Sequence, residues 1–186
     1  MELLDLYTQS FEKTGTRIIR GERIPEGETA LIVFVCIFDA QGRMLLAQRH
    51  PAKSWGGLWD VAAAGGVQAG ESSEQAARRE LEEELGLRLP EGCLVKTMSV
   101  YYDGYTHDFY AAVHPVETQE LTLQSGEVSA VCWADADRVR ELLRSGEMIP
   151  VYEQFTDLLF AMQATRGIMV PEKQEPGAEA DERSSR

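Results

Sequence analysis

The chain has 186 residues, with 18 Lys plus Arg against 31 Asp plus Glu and a formal net charge of −13 at pH 7. That length suits one folded domain with a sizeable buried core. The acidic balance argues against a general grip on nucleic-acid backbone or an anionic membrane, so a polyanionic ligand has to be met locally, by a metal ion and a few cations. Cys36, Cys93 and Cys132 are odd in number and scattered. They read as buried free thiols rather than a disulfide frame or a zinc site. No apolar run approaches the ~20 residues needed to span a bilayer and no signal peptide is recognisable, so a cytoplasmic location is the expectation.

In chain order, residues 2–8 and 16–21 predict a small opening hairpin joined through Lys13-Thr14-Gly15. Residues 30–38, ALIVFVCIF, form a continuous apolar run rich in β-branched residues, as expected of a central strand covered on both faces. Ala40-Gln41-Gly42 turns the chain into residues 43–49, where Met44, Leu46 and Gln48 alternate with Leu45 and Ala47, and the two strands are expected to form a hairpin. A helix is expected over 73–85. Ser72 with Gln75 offers a capping box, Ser73 is the competing N-cap, and Gly86 sits where a left-handed residue ends a helix. Further strands are expected at 59–64, 94–102, 108–116 and 128–134, and helices at 135–144 and 153–165. The fold class is therefore α/β, a mixed sheet flanked by helices. Residues 171–186, PEKQEPGAEADERSSR, lack apolar periodicity and are expected to be a disordered acidic tail. The organisation that follows is one domain over 1–170, with 1–29 as an N-terminal hairpin extension.

The chemistry concentrates in the stretch from 65 to 87, GGVQAGESSEQAARRELEEELGL. At about 100° per residue, Glu80, Glu83 and Glu84 fall within roughly 100° of arc on one helix face. Clustered carboxylates raise one another's pKa, whereas a hard divalent cation with oxygen ligands neutralises them, and Mg²⁺ fits because one or two carboxylates plus substrate phosphates suffice to hold it. An isolated acidic run of this kind would read as a solvated helix with i,i+4 pairs. The flanking Gly65, Glu71 and Gly86 overturn that reading. Gly65 and Gly66 occupy the turn where backbone has to come close to the acidic helix.

These residues, with Arg79, fall at the spacing G-x5-E-x7-R-E-L-x-E-E-x-G-L, which resembles the Nudix box at every fixed position. Seven fixed identities at about 6% each arise by chance at about 10⁻⁹ per start point. The resemblance implies an α/β/α sandwich and a hydrolase of phosphoanhydrides that uses Mg²⁺, with Mn²⁺ as a substitute. Glu80, Glu83 and Glu84 are the implied metal ligands and catalytic carboxylates, while Gly65, Glu71, Arg79 and Gly86 are structural box residues, Arg79 tying the helix to Glu71. Glu127 lies in GEVSAVCWADADRV, similar to the region where many family members carry a further acidic residue, and it competes with the box glutamates for the role of general base.

Residues 48–53 and the following GGLWDVAAAGGV are similar to the subgroup that includes isopentenyl-diphosphate isomerases, in which basic residues contact a diphosphate. Arg49 and Lys53 are the matching candidates, with surface solvation as the plain alternative. The isomerase cysteine and histidine match Ala64 and Gly66, which can neither donate a proton nor ligate a metal, so hydrolysis is favoured. Tyr105, with Tyr101, Tyr102, Trp55 and Trp59 nearby, offers base stacking or simple packing. His50, His107 and His114 lack ligand spacing and take no role. The expected partner is a small phosphorylated substrate, with a nucleoside diphosphate linked to another moiety as the leading class. An isomerase and a non-catalytic ligand-sensing module are the alternatives. Members of the family often form homodimers, and no partner surface is marked in this sequence.

Overall fold

The computed structural model describes residues 2–165; the expected acidic tail lies outside the described residues. The opening hairpin is present, with β1 at Leu3–Thr8 and β2 at Lys13–Ile19. Its turn differs from expectation. Thr8 N–H donates to Glu12 O at 2.8 Å and Phe11 N–H to Thr8 O at 3.0 Å, so the chain reverses over 9–12 and Lys13-Thr14-Gly15 belongs to β2. Local turn chemistry at Thr8 and Ser10, whose hydroxyls bond each other at 3.0 Å, outcompetes the glycine.

β3 (Glu28–Phe38) is the central strand, and its two faces serve two cores. Val33, Val35 and Ile37 pack into one with Ala76, Ala77, Leu81 and Leu85. Cys36 and Phe38 pack into the other with Val139, Leu142 and Leu159. Each fully buried aliphatic contributes about 1.5–3 kcal/mol, which is why an unbroken apolar run stands here rather than an alternating one. β4 (Met44–Arg49) meets β3 at one register pair, Phe38↔Met44, and then diverges. The expected hairpin exists only at its base. Beyond it β4 pairs with β5 (Trp59–Val61), whereas β3 pairs antiparallel with β6 (Ala63–Gly66). The strand expected over 59–64 is thus two short strands on two diverging leaves, broken at Ala62. The helix α1 (Ser73–Leu85) follows as the sequence predicts.

β7 (Val95–Tyr102) and β8 (Tyr105–Val113) form a hairpin around Asp103-Gly104. β8 begins earlier than expected because it runs parallel to β3 from Ala30↔Tyr105 to Phe38↔Val113. β9 (Val128–Ala134) pairs with β4, and α2 (Ala136–Ser145) and α3 (Glu153–Thr165) cover the second core. Among the described residues this makes a nine-stranded mixed sheet between α1 on one side and α2 with α3 on the other, the expected α/β/α architecture. No helix among them is long and apolar enough to cross a membrane. The three cysteines are free.

Candidate active site

Local sequence explains how α1 is held. Ser72 is the N-cap: its side chain accepts the Gln75 N–H at 3.2 Å while the Gln75 side chain accepts the Ser72 N–H at 2.8 Å, a complete capping box. The competing candidate, Ser73, instead donates its hydroxyl to the buried Asp108 of β8 at 2.5 Å and lies 2.9 Å from the Tyr110 hydroxyl. Gly86 ends the helix at φ 65°, a left-handed conformation that favours glycine. The carbonyls left over at this end accept N–H groups from a later loop, Thr122 onto Leu85 O at 3.0 Å and Gln124 onto Glu84 O at 2.9 Å. That loop carries Glu127, so satisfying the helix terminus brings a distant carboxylate beside α1.

On one side of α1 the box residues form a bracket. A Cβ added to Gly65 would lie 2.0 Å from Glu80 Oε1, so only glycine leaves room for that carboxylate against β6. Arg79 donates to Glu71 at 2.8 and 3.2 Å, to Glu80 Oε1 at 2.8 Å, to Glu83 Oε2 at 3.1 Å and to the carbonyl of Gly66 at 2.9 Å. Glu71 Oε1 also accepts the Gln68 N–H at 2.6 Å. Loop, strand and helix thus converge on one guanidinium, whose planar fork of five N–H donors suits such a role.

On the other side lies a cleft lined by Ala47, Arg49, Lys53, Asp60, Val61, Ala64, Glu84, Glu127 and Val128. Lys53 forms an ion pair with Glu127, and Arg49 Nη1 stands 3.4 Å from Asp60 Oδ2. Arg49 Nε also donates to Ser54 O at 2.8 Å, holding the loop from 50 to 57 back against β4. Three carboxylates face two cations here. Burial, then the nearby charges of Glu80, Asp60 and Glu127, push the Glu84 carboxyl up to about 8. Burial likewise pushes Asp60 up to about 6, against the opposing Val61 N–H and Arg49. Glu80 is also raised, by burial most of all, with Arg79 opposing. Such carboxylates hold charge at neutral pH at a cost, and a divalent cation removes that cost.

The expected residues therefore divide. Arg49, Lys53, Glu84 and Glu127 line one cleft, and Glu80 lies close enough to raise Glu84. Glu83 sits on the same helix face, half-exposed and turned to Arg79. Among the described residues no three carboxylate, imidazole or thiol side chains converge into a ready-made metal cage. The donor set nevertheless suits Mg²⁺, which takes one or two carboxylates and keeps its remaining positions for water and phosphate. Tyr105 does not line the cleft. It packs against the cluster of Leu4, Leu6, Ile18 and Ala30. Sequence reasoning passed over Asp60, whose signal was a lone carboxylate inside the apolar run LWDVAAA, and Asp108, which anchors the first turn of α1.

A scan against family models matches the NUDIX domain over residues 28–155. The chain belongs to the Nudix family. An uncharacterised Nudix hydrolase of Listeria innocua is 37% identical over 164 residues, covering 88% of this chain and 96% of the relative. The CTP pyrophosphohydrolase of Escherichia coli is 33% identical over 132 residues, covering 71% of this chain and 96% of that protein. The crystal structure of the protein DR0079 from Deinococcus radiodurans superposes with a TM-score of 0.69 at 23% identity, covering 85% of this chain and 97% of that one, and shares the fold. The Nudix box read from the sequence is thus the box of a Nudix hydrolase, an enzyme acting on pyrophosphate bonds.

Proposed function

We propose that this Nudix hydrolase is Mg²⁺-dependent and cleaves the phosphoanhydride of a nucleoside diphosphate linked to another moiety, or of a related organic pyrophosphate. The observation that carries the reading is the cleft itself: Arg49 and Lys53 from one loop, Glu84 from α1 and Glu127 from another loop face one space. Glu80, Glu83 and Glu84 would hold the cation, with Glu80 seated where Gly65 leaves room. When bound, the ion neutralises phosphate oxygens and lowers the pKa of a coordinated water. Arg49 offers a two-pronged donor face to phosphate and Lys53 a point charge once substrate displaces Glu127 from it. Glu127, freed of that ion pair, would be available to accept a proton from the attacking water, as would Glu84, and the two are the candidates for the base.

Hydrolysis is preferred over isomerisation because Ala64 and Gly66, on β6, carry a methyl group and a hydrogen where an isomerase needs an acid and a metal ligand. The test is incubation with nucleoside diphosphates and triphosphates including CTP, ADP-ribose, NADH and prenyl diphosphates, with and without Mg²⁺ or Mn²⁺. Metal-dependent release of a phosphate-bearing product from at least one is expected. Tight binding of one compound with hydrolysis of none would replace the proposal with a ligand sensor, and isomer interconversion without phosphate release would replace it with an isomerase.

A further inference from the structure

The opening hairpin precedes the segment matched by the family model, yet it touches the box. β1 shares an edge of β3 with β6: it takes Thr29 and Glu28, while β6 takes Ile32 to Val35. Where the chain leaves β6, it runs beside β1. Leu4 bridges Gln68, and Ala69 N–H donates to Leu3 O at 2.7 Å. The next N–H, that of Gly70, is received by a side chain, Asp5 Oδ2, at 2.9 Å. Asp5 is 8% exposed and is itself held by Lys13 Nζ at 2.7 Å and Arg17 Nε at 2.8 Å. Glu71 follows Gly70 directly and is the carboxylate that grips Arg79, which in turn grips Glu80.

We infer that Asp5 is a positioning residue of this hydrolase: through the Gly70 N–H it fixes the loop carrying Glu71, and through Glu71 and Arg79 it fixes Glu80. The backbone contacts at Gln68 and Ala69 tolerate any side chain, whereas the Gly70 contact needs an acceptor of the right length, buried and already ordered by two cations. A buried acceptor of this kind is costly to remove, because the donor is left without a partner. Partners that orient metal-binding carboxylates indirectly are worth about 10- to 100-fold in activity or metal affinity when lost.

The inference rests on the hydrolase reading, and its test carries a readout that does not. Asp5→Ala should lower kcat about 10- to 100-fold and raise the Mg²⁺ concentration for half-maximal rate, with substrate KM within about threefold. The Gly70 amide, followed by hydrogen exchange, should lose protection while β3 amides keep theirs. Asp5→Asn retains an acceptor oxygen and should recover most of the rate and of the Gly70 protection; it carries the same test if Asp5→Ala does not fold. Thr14→Val removes two hydrogen bonds of the hairpin, Thr14 Oγ1 to Leu6 O at 3.2 Å and Thr16 N–H to Thr14 Oγ1 at 3.1 Å, neither of which reaches Gly70, and should behave as the unaltered enzyme. Unchanged Gly70 exchange in Asp5→Ala, unaltered kcat and Mg²⁺ response there, or an equal loss in Thr14→Val would each overturn the inference. If the unaltered protein hydrolyses no compound in the panel, the hydrolase reading falls, and the Gly70 amide alone decides whether Asp5 orders the loop.

Discussion

The two sides of α1 are built from the same residue types and behave oppositely. In the bracket, Glu71, Glu80 and Glu83 share Arg79, and strand, loop and helix are tied through that one cation. In the cleft, Asp60, Glu84 and Glu127 face Arg49 and Lys53, and two of the carboxylates are pushed up to about 6 and about 8. The first arrangement sets three carboxylates on one guanidinium and stabilises the fold by tying loop, strand and helix together through its hydrogen bonds. The second leaves Glu84 without an ion pair of its own among the described residues, so its charge is costly in the free protein and the cleft is suited to bind a cation and then a phosphate. Perturbed carboxylates gather where chemistry is done, which supports the proposed site on the Glu84 side.

Removing the brace should have the largest effect. Arg79→Met leaves Glu71 and the buried Glu80 without their cation, and loss of one partner from such a buried pair costs about 3 kcal/mol. Thermal and denaturant unfolding should both report this loss, together with a fall in hydrolysis. Glu84→Gln should do the reverse. Turnover should fall at least about 100-fold, equivalent to about 2.7 kcal/mol of transition-state stabilisation, while metal-free stability stays level near neutral pH and rises above about pH 8, where the native carboxylate would be charged at a cost. A Glu84→Gln protein that unfolds as readily as Arg79→Met would erase the distinction between the two sides.

The bracket was legible in the sequence and the cleft was legible only in part, for a physical reason. Gly65, Glu71, Arg79, Glu80 and Gly86 lie in one continuous stretch of short strand, loop and helix, where spacing alone puts side chains within reach of each other. The cleft is assembled across the diverging leaves of the sheet. Arg49 and Asp60 become neighbours because β4 leaves β3 after Met44 and pairs with β5 instead, a choice that no local period encodes. Asp60 stood inside an apolar run as an unexplained carboxylate. Glu127 arrives through hydrogen bonds to the helix terminus, and an i,i+4 pattern cannot show those. The same limit applies to the hairpin, whose strands were legible while the reach of Asp5 to Gly70 was not.

pH provides a milder test of the contrast. Glu84 and Asp60 have folded-state values above their ordinary ones, so between about pH 3.8 and 8 the folded protein retains protons that the unfolded chain has released. Their contribution to stability is complete at the acid end of that window and is lost as pH rises through it, by on the order of 1–2 kcal/mol after allowance for partial solvent access. Unfolding followed in EDTA should show this decline, Glu84→Gln should flatten it, and Mg²⁺ should reverse it while releasing protons near neutral pH. A metal-free protein whose stability climbs steadily from pH 5 to 8 would contradict a strained cleft.

The smallest effect should come from Tyr105, for which the sequence offered base stacking and packing alike. The structure sets its side chain against Leu4, Leu6, Ile18 and Ala30, beneath the hairpin, and its backbone at the first register pair of β8 with β3. Tyr105→Leu keeps most of the apolar contact and removes only the ring, so stability should change by less than about 1 kcal/mol, as for other swaps that roughly conserve core volume. Because the residue lies outside the cleft, KM for whichever nucleotide the panel identifies should change less than about threefold. A rise in KM of tenfold or more, confined to substrates with a base, would move Tyr105 from packing to recognition and would extend the functional side of the molecule past Gly66 toward the hairpin.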